Sequence, residues 1–341
     1  MLNDLIIDNT AIKPGERKII MLKMPKLHDW TPLSIPVHVY RSKKPGPTLS
    51  VTAAVHGDEV NGIEIIRRLL KKPALKRISG TLIVIPIVNI FGFLHQNRYL
   101  LDRRDLNRSF PGSQKGSLAA RLAYLISTEI INKSTHIIDL HAGSLHRTNL
   151  PQIRGDFDDP TIEKLAKAFN VPVILHSALR DGSMRQYASE NSIPFLLYEA
   201  GEALRFDELS IKTGVNGILN VMQELGMIIR KKPNLRKYQP TFSKSSYWLR
   251  APDSGIFQPF KTLGKRVKEG DLLASIGNPM TTEEHKLYSP ISGIIIGQNK
   301  SPVVHEGAAL FNIACFEESE LVAKQIEHLQ YMYSDNDLET N

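Results

Sequence analysis

Residues 48–62 read TLSVTAAVHGDEVNG, and the fold turns on this stretch. Residues 48–55 are apolar or small almost without a break, which is the pattern of a strand buried on both faces. From Val60 to Lys72 the period changes. Ile63, Ile66, Leu69 and Leu70 recur at helical spacing, which predicts a helix. A buried strand that steps straight into a helix is the repeating unit of α/β architecture. The step between them carries His56 and Glu59.

The unit recurs downstream. TLIVIPIV (81–88) reads as a second strand, and residues 117–132 as a helix with Leu118, Leu122, Leu125 and Ile126 on one face. THIIDL (135–140) is a third strand, residues 161–169 a helix and FLLY (195–198) a fourth strand. Residues 215–225 close the region as a helix ending at Gly226, a C-cap residue. The expectation is an α/β domain over residues 1–235, with one sheet covered on both faces.

Residues 230–246 (RKKPNLRKYQPTFSKSS) are polar and basic with two prolines, so the connector is placed there. Residues 245–316 have glycine-punctuated short strands and an internal repeat. Leu249, Ala251, Pro252 and Gly255 recur 38 positions later as Leu287, Ser289, Pro290 and Gly293. Val267, Glu269, Gly270, Leu273 and Ile276 recur 37 positions later as Val304, Glu306, Gly307, Leu310 and Ile313. Two similar β-halves that cannot bury their faces alone are expected to interlock. This segment resembles the biotinyl/lipoyl-type barrel-sandwich fold. The lysine motifs that carriers of that type modify are absent, and Lys286 lacks their flanking residues, so the resemblance implies shape alone. Residues 317–341 are expected to form a helix (318–331) and a frayed acidic tail.

The chain carries 43 Lys and Arg against 35 Asp and Glu, a formal charge of +8. The basic residues are scattered or sit in connectors without interleaved aromatics, so no nucleic-acid partner is expected. Positive charge also draws in small anions. No run reaches the ~20 apolar residues of a membrane span. MLNDLIIDNT has neither the basic start nor the apolar run of a secretory leader. A single cysteine, Cys315, rules out an intramolecular disulfide framework and is read as a small buried hydrophobe. A cytoplasmic protein is expected, with the second domain available for self-association.

Three polar segments follow or adjoin strand ends, where open α/β sheets collect their sites: VHGDEVNG (55–62), DRRDLNRSFPG (102–112) and IDLHAGS (138–144). Two histidines and a glutamate (His56, His141 and Glu59) give zinc three protein ligands and an open position, the arrangement of a catalytic site. Singly, each also reads as a locally bonded histidine or an acidic first helical turn. Asp139, two residues before His141, either orients that ring or caps a loop. Gly57, Gly62, Gly112 and Gly143 are placed in tight turns near the metal. His95, His136, His146 and His176 are read as structural. Phosphate-binding glycine loops and the G-x-S-x-G nucleophile elbow are absent.

H-G-D-E (56–59), R-Y-L-x-D-R-R-D-L-N-R-x-F-P-G (98–112), D-L-H (139–141) and the acid of Y-E-A-G (198–201) together resemble the succinylglutamate desuccinylase/aspartoacylase family, which is related to zinc carboxypeptidases. The resemblance covers residues 45–225, and the β domain is of a type the family carries. It implies a mixed, carboxypeptidase-like sheet and zinc-dependent hydrolysis of an amide joining an acyl group to an amino acid or amine. By this resemblance His56, Glu59 and His141 hold one zinc ion per chain and Glu199 is the general base. Arg98 faces the developing oxyanion, with Arg103 and Arg104 as competitors for that role or surface residues. Asn107 and Arg108 clamp a substrate carboxylate. Arg154 either reaches the substrate or pairs with Asp156 or Asp158. The function expected is a zinc-dependent deacylase acting on a small, carboxylate-bearing substrate. The alternatives are a metallocarboxypeptidase acting on short peptides and a non-catalytic binding protein on the same scaffold.

Overall fold

A computed structural model describes residues 3–229, 241–243 and 245–334. Thr48–Ala53 lies at its centre, flanked by Thr81–Ile85 and His136–Gly143, both parallel to it. Phe195–Glu202 continues the parallel set beyond His136–Gly143. Antiparallel strands extend the sheet: Ser34–Arg41 and then Arg17–Lys23 on one side, Arg147–Gly155 on the other. The result is a mixed α/β sheet.

The unbroken apolar runs have a direct cause. Along Thr81–Ile85, Leu82 and Val84 enter one core with the helices Asn61–Leu70, Pro160–Phe169 and Glu208–Glu224. Ile83 and Ile85 enter a second core with Ile90–Leu94, Leu118–Glu129 and Met184–Glu190. Both faces are dry, and each fully buried large aliphatic side chain contributes ~1.5–3 kcal/mol. The last helix of this region begins at Glu208, well before the predicted residue 215. Asp207 caps it by accepting from the Ser210 N–H, and the buried Ser210, Thr213 and Gly214 in its first turns hide the apolar period. Arg147–Gly155 is a strand without an apolar signature, since Pro151 interrupts it and Asn149 and Arg154 face a cavity.

In the β domain the two repeats exchange strands. Arg266–Val267 of the first pairs with Gly293–Asn299 of the second, and Val303–Val304 of the second pairs with Gly255–Pro259 of the first. Equivalent positions also pair within each half: Phe257 with Ile276, and Ile295 with Ile313. All four side chains share one core. Cys315 is half-buried and lies one residue past the Ala309–Ala314 strand, unlike the buried strand residue expected. Its backbone is what the fold uses: its N–H donates to the Ser245 carbonyl, and its carbonyl accepts from Ser243 Oγ at 2.7 Å.

The sheet does not stop at the predicted boundary. Gly293–Asn299 runs antiparallel to Arg147–Gly155, setting Gly297 opposite Asn149 and Asn299 opposite Arg147. Thr241–Ser243, inside the predicted connector, pairs with Val173–His176. The rest of that connector through residue 240, and Lys244, lie outside the described residues, as does the predicted acidic tail from 335. The C-terminal helix, Ser319–Ser334, seals the joint by placing Val322 and Ile326 against Leu150, Leu175, Ile294 and Ile296. Among the described residues no helix is long and apolar enough to cross a membrane.

Candidate metal centre

The central strand delivers the first donors. The chain leaves Thr48–Ala53, bends through Ala54 at φ +52°, and makes a turn in which the Glu59 N–H donates to the His56 carbonyl at 3.2 Å. Glu59 therefore precedes the helix Asn61–Leu70 and does not lie in its first turn. A side chain at Gly57 would collide with the backbone of Gly92 and Phe93, so only glycine lets this turn seat there. Gly62 and Gly112 serve packing elsewhere, the first against Ala53 and Leu140, the second against Leu118–Glu129. His141 sits within His136–Gly143, and parallel register sets Glu199 beside it.

His56, Glu59 and His141 are buried and converge. His56 Nδ1 lies 2.6 Å from Glu59 Oε1, and His141 Nδ1 lies 2.9 Å from Glu59 Oε2. The far nitrogen of each ring meets a second carboxylate: Asp105 Oδ1 is 3.2 Å from His56 Nε2, and Asp139 Oδ2 is 2.6 Å from His141 Nε2. A carboxylate on Nε2 holds the proton there and leaves the Nδ1 lone pair for a cation. The outer acids are fixed in turn. Thr52 Oγ1 donates to Asp139 at 2.7 Å, and Arg98 donates from Nε and Nη2 to Asp105 at 3.1 and 2.8 Å.

Burial opposes charge on all three groups, yet the two imidazoles hold the Glu59 carboxyl well below the usual range. Glu59 and the outer acids likewise overcome burial and raise both imidazoles. A cation among the three groups would take the place of the protons so attracted. Their candidate ligand atoms all lie within 4.8 Å of one another. Two imidazoles and a carboxylate at this spacing suit a zinc ion with bonds of ~2.0–2.2 Å.

The donors open onto a cavity of about 630 Å³. Glu199 lines it, accepts from Asn149 Nδ2 at 3.0 Å, and has Arg154 Nε 3.9 Å away. Arg98, Asn107, Arg108 and Arg154 line it as well. Asn107 Oδ1 accepts from the Met184 N–H at 2.9 Å, which fixes its carboxamide. No ion pair links Arg154 to Asp156 or Asp158 among the described residues; its charged neighbour is Glu199. Arg103 and Arg104 are exposed outside the cavity. His95, His136, His146 and His176 also lie off its lining.

Several lining or supporting groups carry no role in the sequence analysis. Asp105 stands inside the quoted arginine motif, two residues before Asn107, and its position there is a signal for it. Arg185 is buried, donates to the Ser177 carbonyl at 2.9 Å, and desolvation pulls its pKa down to about 10. Trp248 and Arg250 enter from the β domain, where no local pattern announces them.

Comparison with known proteins identifies the family. Residues 45–225 match the profile described as the succinylglutamate desuccinylase/aspartoacylase catalytic domain. The chain is 26% identical over 271 residues to N-alpha-acetyl-L-2,4-diaminobutyric acid deacetylase of Halomonas elongata, spanning 75% of this chain and 78% of that protein. The product-bound ectoine utilization protein EutE (DoeB) of Ruegeria pomeroyi shares the fold, with a TM-score of 0.81 and 22% identity over 89% of this chain and 96% of that one. A succinylglutamate desuccinylase/aspartoacylase of Rhodobacter sphaeroides gives the same TM-score of 0.81 at 23% identity, again over 89% and 96%. The profile match alone takes in more than half of the sequence, so this chain belongs to the succinylglutamate desuccinylase/aspartoacylase family.

Proposed function

We propose that this protein is a zinc-dependent deacylase that hydrolyses the amide of a small N-acyl amino acid or acylated amine bearing a carboxylate. The observation that carries the reading is the donor set itself: two buried imidazoles turn Nδ1 onto one glutamate, while carboxylates hold both Nε2 atoms. His56, Glu59 and His141 would hold one zinc ion per chain, which would supply Lewis acidity toward the acyl carbonyl and a lowered pKa for water.

The remaining work falls to this chain's side chains. Glu199 takes the proton from the attacking water and returns it to the departing nitrogen. The Asn149 carboxamide holds one of its oxygens at 3.0 Å and so limits the orientations the carboxylate can sample. Arg98, fixed by Asp105, points Nη1 to within 3.3 Å of His56 Nδ1, which supports a role for its guanidinium as donor to the developing oxyanion. Asn107 and Arg108 receive the substrate carboxylate, and Arg154 lies beside Glu199 to contact the same substrate. The β domain brings Trp248, Arg250 and Ala309 to the cavity, which supports small substrates over peptides.

Bound zinc per chain, read by elemental analysis of wild type beside His56→Ala, is the first test. One ion in wild type and a clear loss in the variant are expected. No zinc after metal is added back and dialysed would favour a non-catalytic protein. A panel of acyl amino acids against short peptides then separates deacylase from carboxypeptidase.

A further inference from the structure

The strand Arg147–Gly155 offers Glu199 more than the Asn149 and Arg154 contacts. Antiparallel register sets Leu197 opposite Arg154, Tyr198 opposite Ile153 and Glu199 opposite Gln152. Side chains alternate along a strand, and residues directly opposite share a face. Tyr198 and Ile153 enter the core that contains the helix Asn61–Leu70. Gln152, Arg154, Leu197 and Glu199 therefore leave the other face, and the last three line the cavity. Gln152 does not line it, and at 0% exposure it is fully buried beside the base.

Its carboxamide is unpaired. Among the described residues neither Oε1 nor Nε2 has a hydrogen-bond partner. On the side away from Glu199 its neighbour in the sheet is Val173, whose side chain offers none. The Arg154 Nε is also buried without a hydrogen bond, since Glu199 Oε2 at 3.9 Å is beyond that reach. A buried, unsatisfied amide costs stability that an apolar side chain of the same length would not. Gln152 therefore earns its place by something other than packing.

The residue opposite is a group whose needs change during the proposed reaction. Cross-strand partners hold their Cβ atoms ~4.5–5.5 Å apart, so rotation about the Gln152 side chain brings its amide to the Glu199 carboxylate. Glu199 is first a carboxylate and then carries the proton taken from water. Arg154 can only donate, and Asn149 presents its nitrogen. Both suit the carboxylate, and neither contact accepts from the protonated form. A glutamine offers Nε2–H to the first state and Oε1 to the second, and exchanges no proton itself.

We propose that Gln152 is a positioning residue for the general base: its carboxamide holds Glu199 in both proton states and keeps the acid aimed at the departing nitrogen. This rests on the deacylase reading and extends it to a residue outside the cavity lining.

The test is Gln152→Met, which keeps the length of the side chain and removes both hydrogen-bonding atoms; Gln152→Leu serves as a second variant. The zinc-loaded full chain is assayed on N-acetyl-L-glutamate and the rest of the acyl amino acid panel. A fall in kcat of about tenfold is expected, the value of a hydrogen bond to a charged group, with KM and zinc content unchanged. The melting temperature should hold or rise, because an unpaired amide gives way to an apolar chain. Adding Gln152→Met to Glu199→Gln should cost no further activity, since no base is left to position. Unchanged kcat in both single variants, or an equal loss with and without Glu199, overturns the positioning role and leaves the deacylase reading intact. A lowered melting temperature with zinc lost alongside kcat makes Gln152 structural and overturns the role as well. No turnover of any panel member by zinc-loaded wild type overturns the deacylase reading, and the positioning role falls with it.

Discussion

Two walls of one cavity are built on opposite principles. On the wall of the candidate metal site the central charges are answered from within the protein: His56 by Glu59 and Asp105, His141 by Glu59 and Asp139, Asp105 by Arg98. On the wall shared with the β domain, Arg147 and Arg250 touch an indole and a backbone carbonyl and have no acid among the described residues. A saturated network stays in place while chemistry proceeds on it, because its charges need no reorganisation. An unsaturated cationic wall draws its missing partner from solution. The difference sets groups whose charges are compensated within the protein against groups whose charges are not.

The sharpest break of that comparison lies on the metal wall. His141→Ala should remove bound zinc and with it all measurable turnover, read by elemental analysis beside an activity assay; retained zinc would move the centre elsewhere. Glu199→Gln comes next. It should keep its zinc yet lose ~10²–10⁴-fold in kcat, the range for a positioned acid–base group. Near wild-type turnover would show that another group moves the proton. Asp105→Asn leaves the ligands in place but weakens the hold on His56 and Arg98. A fall of ~10–100-fold in zinc affinity or activity is expected, and competition with a chelator measures the affinity.

Smaller effects should appear away from the metal. Arg108→Ala is expected to raise KM for carboxylate-bearing substrates by about tenfold with a lesser change in kcat, since it removes one charge-assisted contact. An unchanged KM would take Arg108 out of the pocket. Gly297→Ala probes the joint. A Cβ there would lie 2.8 Å from Asn149 Oδ1, the carboxamide whose nitrogen holds Glu199. Its displacement should lower kcat by a few-fold, roughly the value of one hydrogen bond, while zinc content stays at wild-type level. An unaltered kcat would show that Asn149 does not position the base.

Much of the site is legible in the order of residues. His56 and Glu59 follow the central strand within four residues of each other, and His141 with Asp139 shares a strand, so local spacing gives two pairs, which the family resemblance and then the parallel sheet bring together. Asp139 has two readings in the sequence, orienting a ring or capping a loop, and the 2.6 Å contact with His141 Nε2 selects the first. Arg154 also has two readings, and its position 3.9 Å from Glu199 on the cavity wall turns it away from Asp156 and Asp158. Arg147–Gly155 is not legible, because a strand that carries cavity-lining polar residues and a proline loses the apolar pattern by which strands are recognised.

The β domain shows the same division. Its repeat is visible because each half solves one packing problem, and Val267 and Val304 or Ile276 and Ile313 recur for that reason. Its place in the molecule is not visible. Gly297 opposite Asn149 and Asn299 opposite Arg147 are backbone pairings between segments about 150 residues apart, and a backbone hydrogen bond leaves no mark on side-chain composition. The sequence by itself determined the two-sided sheet and the repeat, because burial periodicity writes those into the order of residues, and it brought His56, Glu59 and His141 together only through a family resemblance. Only the tertiary structure decided that Trp248 and Arg250 belong to the same cavity as His56, because their proximity is created by the sheet that joins the two regions.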